Sequence, residues 1–306
     1  EGANVLAYIS YFNLRKINTL VLKYLATGYV DEDWLVQQIV KEQVTDEDSG
    51  QTPLWVLLSS VITDNYETRF SSTGVPYLEG VLNIYCNGTR RVNSNLMRIH
   101  VLNYLKRHGE TDTHQLLDDY GKLFEARLPT LEDDMWYALW RLMVFDLVDS
   151  PEYYKIDSVD QMDQVETVRL TDTGEYYLRE FRNYYEYLVF MKDDVDLGEN
   201  PAGIQDCIDV SDFAGRYSEV CKFLTFLCRQ EAHFLNGLDR DRRQHYLHCF
   251  SPADVTCPYI VAEPIHRMIS FGEDRKDRLS GSLPALRTLM EEVRENASTF
   301  LSSCQG

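Results

Sequence analysis

The sequence predicts a mainly α-helical protein in three parts: a helical segment over 1–92, three helices closed by a small β-hairpin over 93–195, and a helical bundle over 196–306. Three observations predict it. Apolar residues recur at helical spacing along much of the chain. Two short strand-like runs, Tyr153-Tyr154-Lys155-Ile156 and Glu166-Thr167-Val168-Arg169-Leu170, follow three closely spaced helices. A polar run with Pro and Gly, Asp193 to Gly203, reads as a linker before the last part.

In the first part, Leu14, Ile17, Leu20, Val21, Tyr24 and Leu25 make an amphipathic helix that stops at Thr27-Gly28, and Asp31 opens a second over Glu32–Val40. The middle part is more sharply marked. Leu96, Ile99, Val101, Leu102 and Leu105 form one helix ended by His108-Gly109. Thr113 caps a second helix running to Phe124, Leu131 to Leu147 form a third, and an acidic loop, Asp157 to Gln164, joins the two strands. Gly174 opens a long aromatic helix reaching Val189. Helix, helix, helix, hairpin is the order of a winged helix-turn-helix domain with its small β-wing; a generic bundle with a stray hairpin is the alternative. In the last part, helices are expected near Asp209–Leu238, Ala262–Ser270 and Leu283–Ser302, around a loop that holds most of the His and Cys.

Length and composition set the limits. At 306 residues there is room for two domains and a small third, and 44% hydrophobic residues, with 33 Phe and Tyr, support a packed core. No apolar run reaches the roughly 18–20 residues needed to cross a bilayer, and Glu1-Gly2-Ala3-Asn4 carries no basic n-region, so neither a span nor a signal peptide is expected. The start, lacking Met, points to a processed or excised piece of a longer protein. Thirty basic against 49 acidic residues leave a net charge of −19, which repels a phosphate backbone. Seven Cys without regular spacing read as free thiols in a reducing cytoplasm.

Four segments together resemble the C-terminal part of prokaryotic P-loop ATPases of the AAA+ and STAND kind, relatives of origin-recognition ATPases. Tyr11-Phe12-Asn13-Leu14-Arg15-Lys16-Ile17 is similar to the Gly-Asn-x-Arg-x-Ala segment of the lid helix, and 57–66 with 81–85 to the stretch joining lid to winged helix. Arg98–Leu105 resembles the first helix of that domain, and Val168–Leu178 its second strand and exit helix. The resemblance covers roughly 5–195. It implies a lid-like first part and nominates Arg15 as a sensor of the nucleotide's terminal phosphate; as a plain residue, Arg15 reads as solvated. No G-x-x-x-x-G-K-[ST] occurs, so ATP and Mg belong to the parent protein, and no cofactor is expected in this chain.

Charge then bears on function. From Gly109 to Glu166 there are 15 acidic residues against Lys122, Arg127, Arg141 and Lys155, and the third helix opens Leu131-Glu132-Asp133-Asp134. Carboxylates at the end that would enter a DNA groove disfavour DNA. The expected role is therefore a non-catalytic regulatory module that docks a protein partner, or a second copy, through Glu132, Asp133, Asp134 and Trp136, with no membrane involved. The alternative is a DNA- or anion-binding module using Arg90, Arg91, Arg98, Lys106 and Arg107, five cations with no acid over 89–108. His245, His248, Cys249 and Cys257 are zinc-ligand types, but their order fits none of the usual paired spacings. Neither G-x-S-x-G nor H-E-x-x-H is present, so no enzyme is predicted.

Overall fold

The computed structural model describes residues 94–125, 129–144, 147–152, 159–179, 181–183, 185, 189, 213–252 and 257–305. Helix α1, Ser94–His108, runs through the middle of the first half. Every residue from Leu96 to Leu105 is buried. The helix is therefore surrounded on all sides, and its buried positions include the polar Arg98, His100 and Asn103. Its C-terminal turn carries Lys106, Arg107 and His108, which favour the negative end of the helix dipole, and Gly109 follows at φ 74°, where only glycine sits without strain.

Strand β1, Thr111–Asp112, leads into α2, Thr113–Gly121. The cap is Asp112, whose side chain accepts from Gln115 N; Thr113, the expected cap, instead donates to Val165 O at 2.6 Å. Helix α3, Leu131–Val144, precedes β2, Val148–Asp149. A 3-10 turn at Val159–Gln164 replaces the expected acidic loop, and β3 spans Thr167–Leu170. The three strands form an antiparallel sheet in the order β1-β3-β2, with Thr111 opposite Val168 and Val148 opposite Leu170. The expected strand Tyr153–Ile156 lies outside the described residues; among the described ones β3 pairs with β1 and β2. Helix α4, Asp172–Arg179, is shorter than expected and is followed by a 3-10 turn at Phe181–Asn183.

The second half comprises α5, Phe213–Asn236; α6, Arg240–Cys249; α7, Ala262–Glu273; α8, Lys276–Leu279; and α9, Leu283–Gln305. Helix α6 stands where a His- and Cys-bearing loop is expected, capped by the Asp239 side chain on Arg242 N. On α9, Leu286, Leu289, Val293, Ala297 and Phe300 are buried at spacings of three and four, and α5, α6 and α7 pack around that stripe. Both halves share one core. Asn103 of α1 donates to Phe250 O at 3.0 Å, and the Tyr104 ring stacks on Phe250 with centroids 5.2 Å apart.

The protein is thus mainly helical, with one small three-stranded sheet among the described residues. Among the described residues no helix is long and apolar enough to cross a membrane. Among the described residues Cys221, Cys228, Cys249, Cys257 and Cys304 take part in no disulfide.

Candidate functional site

The first turn of α3 lies at the surface. Glu132 and Asp133 are exposed, and Asp134 is half-buried and accepts from Thr130 Oγ1 at 3.0 Å. Three carboxylates at a helix N-terminus complement the dipole and project a negative field outward. Trp136 does not belong to that surface: it is buried, edge-on to the His114 ring at 5.9 Å. The aromatic residues that α3 leaves half-exposed are Tyr137 and Trp140, whose ring centroids lie 6.2 Å apart.

The basic run at 89–108 is not one surface. Arg90 and Arg91 lie outside the described residues, as does Arg15. Arg98 is fully buried, under the Tyr137 ring at 5.6 Å, because α1 turns that position toward α3 and α4. Arg107 is spent on backbone: it donates to Ser251 O and Pro252 O at 3.0 and 2.9 Å, tying α1 to the end of α6. Lys106 alone of the described three is fully at the surface.

The four zinc-type residues do not converge either. His245 Nε2 meets Asp119 O at 2.8 Å and Nδ1 lies 3.7 Å from Cys249 Sγ, an ordinary turn-to-turn contact on α6. His248 faces His108, and Cys257 lines a separate cleft. Among the described residues no group of three His, Cys, Asp or Glu is placed to hold a metal.

That separate cleft has a volume of about 680 Å³ and lies between the end of α1, α4 with its 3-10 turn, the residues leading into α7, and α9. Among the described residues Lys106, Arg179, Arg182, Arg267 and Arg294 line it together with His266 and one acid, Glu263. Its wall is shaped from below by Glu231 of α5, fully buried, whose carboxylate accepts Ile260 N at 2.6 Å and Val261 N at 3.1 Å. Burial pushes this acid up to about 7, while the two N–H groups and the nearby Arg182 charge pull against that rise. Tyr259, 2% exposed, lines the cleft, and its hydroxyl has no hydrogen-bond partner among the described residues. Sequence reasoning finds Lys106 and misses the other cations, since they come from four further elements, 73 to 188 residues beyond it, and none forms a local motif.

A second concavity, about 520 Å³, lies between α5 and the start of α1, lined by Leu96, Phe124, Phe226 and Phe234. It is mostly apolar.

Comparison with known proteins finds no matching family model, no similar curated protein and no similar solved structure.

Proposed function

We propose that the chain is a non-catalytic interaction module built on a winged helix, serving as the C-terminal part of a larger P-loop ATPase. In this reading it docks a protein partner or neighbouring subunit through the acidic start of α3. What supports the reading is the element order α1-β1-α2-α3-β2-β3, with β3 between the other two strands, which is compatible with a winged helix. The observation that carries the partner class is the exposure of Glu132 and Asp133 on the helix that such domains lay into a DNA groove. Carboxylates there meet phosphates unfavourably and suit a basic protein face.

The test is fluorescence anisotropy with duplex DNA at physiological salt. The wild-type chain should show no specific binding, and Glu132→Lys with Asp133→Lys should raise DNA affinity by about tenfold or more, two carboxylates having become two phosphate partners. Tight, salt-sensitive binding by the wild type would overturn the reading. An unchanged affinity in the double variant would mean that this turn does not set partner choice.

A further inference from the structure

Helix α5 presents one stripe of side chains to the apolar concavity of about 520 Å³. Phe226, Gln230 and Phe234 stand four residues apart and Arg229 and His233 form a parallel row beside them, so one face of the helix carries all five. Phe226 and Phe234 are half-exposed, and so is Phe124 from the end of α2, whose ring centroid lies 6.3 Å from that of Phe234. The buried Leu96, Leu123 and Leu238 line the same hollow. Phenyl rings left half in water around a hollow gain hydrophobic free energy from an apolar body that fits against them.

The polar part of the lining narrows the class of ligand. Arg242 also lines the hollow, but its guanidinium is turned to Asp239 at 3.3 Å and to Glu125 at 3.5 Å. Arg229 and His233 differ. Both are exposed, and among the described residues neither side chain makes a hydrogen bond or an ion pair. Side chains four apart on a helix are neighbours, so a guanidinium and an imidazole N–H placed this way can donate to the two oxygens of one carboxylate. In a chain of net charge −19 a ligand with a single negative charge approaches more readily than a polyanion. The volume falls within the roughly 300–1,000 Å³ of small-molecule sites, which are mostly apolar with a few polar groups fixing orientation.

We propose that this hollow binds a small amphipathic monocarboxylate, a medium-chain fatty acid or an aryl carboxylate of similar size, with its apolar body against Phe124, Phe226 and Phe234 and its carboxylate between Arg229 and His233. The site uses no residue of α3, so it stands or falls separately from the docking reading.

Titration calorimetry of the whole chain with octanoate and 1-octanol tests it. Octanoate should saturate one site, and 1-octanol, which keeps the apolar body and lacks the charge, should bind about tenfold more weakly, the order that charge-assisted hydrogen bonds contribute. Arg229→Ala with His233→Ala should bring octanoate down to the level of the alcohol and leave the alcohol's own binding as it was, while thermal unfolding stays unchanged because both side chains are exposed. Phe226→Ser should weaken both ligands by about fivefold or more, the apolar contact of one ring having been lost. The proposal is overturned if octanoate does not bind at low millimolar concentration or binds in many equivalents without saturating. It is equally overturned if acid and alcohol bind alike, if the double variant holds octanoate as well as the wild type does, or if Phe226→Ser leaves both affinities where they were.

Discussion

Glu231 and Val261 are joined across thirty residues: the carboxylate, in the C-terminal part of α5, accepts the Val261 N–H at 3.1 Å, and its other oxygen takes Ile260 N–H at 2.6 Å. Helix α7 begins at the next residue and has no side-chain cap of its own. The buried acid therefore does the capping from another helix, satisfying donors that the first turn cannot. It also fixes the backbone carrying Tyr259 and Ile260 into the cationic cleft.

A pH dependence follows from its burial. The folded acid titrates at about 7 against an ordinary 4.5, so between those values the folded state holds a proton that the unfolded state has released. Stability from this group is full below 4.5 and falls as pH rises through 7. Glu231→Gln should remove that slope and cost about 1–3 kcal/mol, because an amide offers one acceptor where two N–H groups need one each. Urea unfolding of both proteins across this window measures it; parallel curves for wild type and variant would contradict the assignment.

His100 runs the opposite way. Its ring is fully buried against Tyr120, Phe234, Tyr246 and Phe250, with Nδ1 3.2 Å from Tyr120 Oη and Nε2 unpartnered among the described residues. Burial brings its pKa down from 6.5 to about 3. As pH drops through 6.5 the unfolded chain takes up a proton that the folded ring refuses, so this contribution is present above 6.5 and lost toward 3. In an NMR titration the His100 Cε1–H shift should stay flat through 6.5, where an exposed histidine moves. A midpoint near 6.5 would mean that water reaches the ring.

How much of this is legible in the sequence depends on where the apolar signal is strong. Helix α1 and its stop at Gly109 are read within a few residues, since seven of the ten residues from Leu96 to Leu105 are apolar and Gly109 takes the left-handed turn. The α9 stripe is equally plain. Helix α6 is missed because only Tyr246 and Cys249 are buried on it, leaving a charged decapeptide without periodicity. Direction is missed too: nothing local separates Arg98, which points into the core, from Lys106, which points out, or Trp136 from Trp140 on α3. The cleft is a property of the tertiary arrangement, with cations at 106, 179, 182, 267 and 294 that each read as an ordinary surface charge.

Arg98 makes a further prediction. None of its three side-chain nitrogens has a hydrogen bond among the described residues, and burial lowers its pKa to about 10. An uncompensated buried cation is expensive, and the Tyr137 ring offsets only part of that cost. Arg98→Met, similar in length and apolar, should stabilise the fold by about 1–3 kcal/mol, seen as a rise of several degrees in Tm by calorimetry. A lower Tm would show that the packing and ring contact of the guanidinium outweigh the cost of burying it.

Gly272, near the end of α7, is needed for close packing rather than for backbone freedom. Tyr217, fully buried on α5, donates its hydroxyl to Met268 O at 2.8 Å, and a Cβ at Gly272 would land on that hydroxyl and 2.8 Å from Leu283 Cδ2. Alanine gains up to about 1 kcal/mol of helix propensity, but overpacking costs about 1–3 kcal/mol and breaks the contact that holds α5 to α7. Gly272→Ala should therefore be net destabilising, whereas Gly281→Ala, with nothing within 4 Å of the added carbon, should stay within about 0.5 kcal/mol of wild type. Removing the obstructing hydroxyl gives the sharper check. Tyr217→Phe combined with Gly272→Ala should be less destabilised than the sum of the single variants, a coupling of about 0.5–1 kcal/mol in a double-mutant cycle. Strict additivity would mean that the glycine is tolerated for another reason and that the α5–α7 contact does not depend on it.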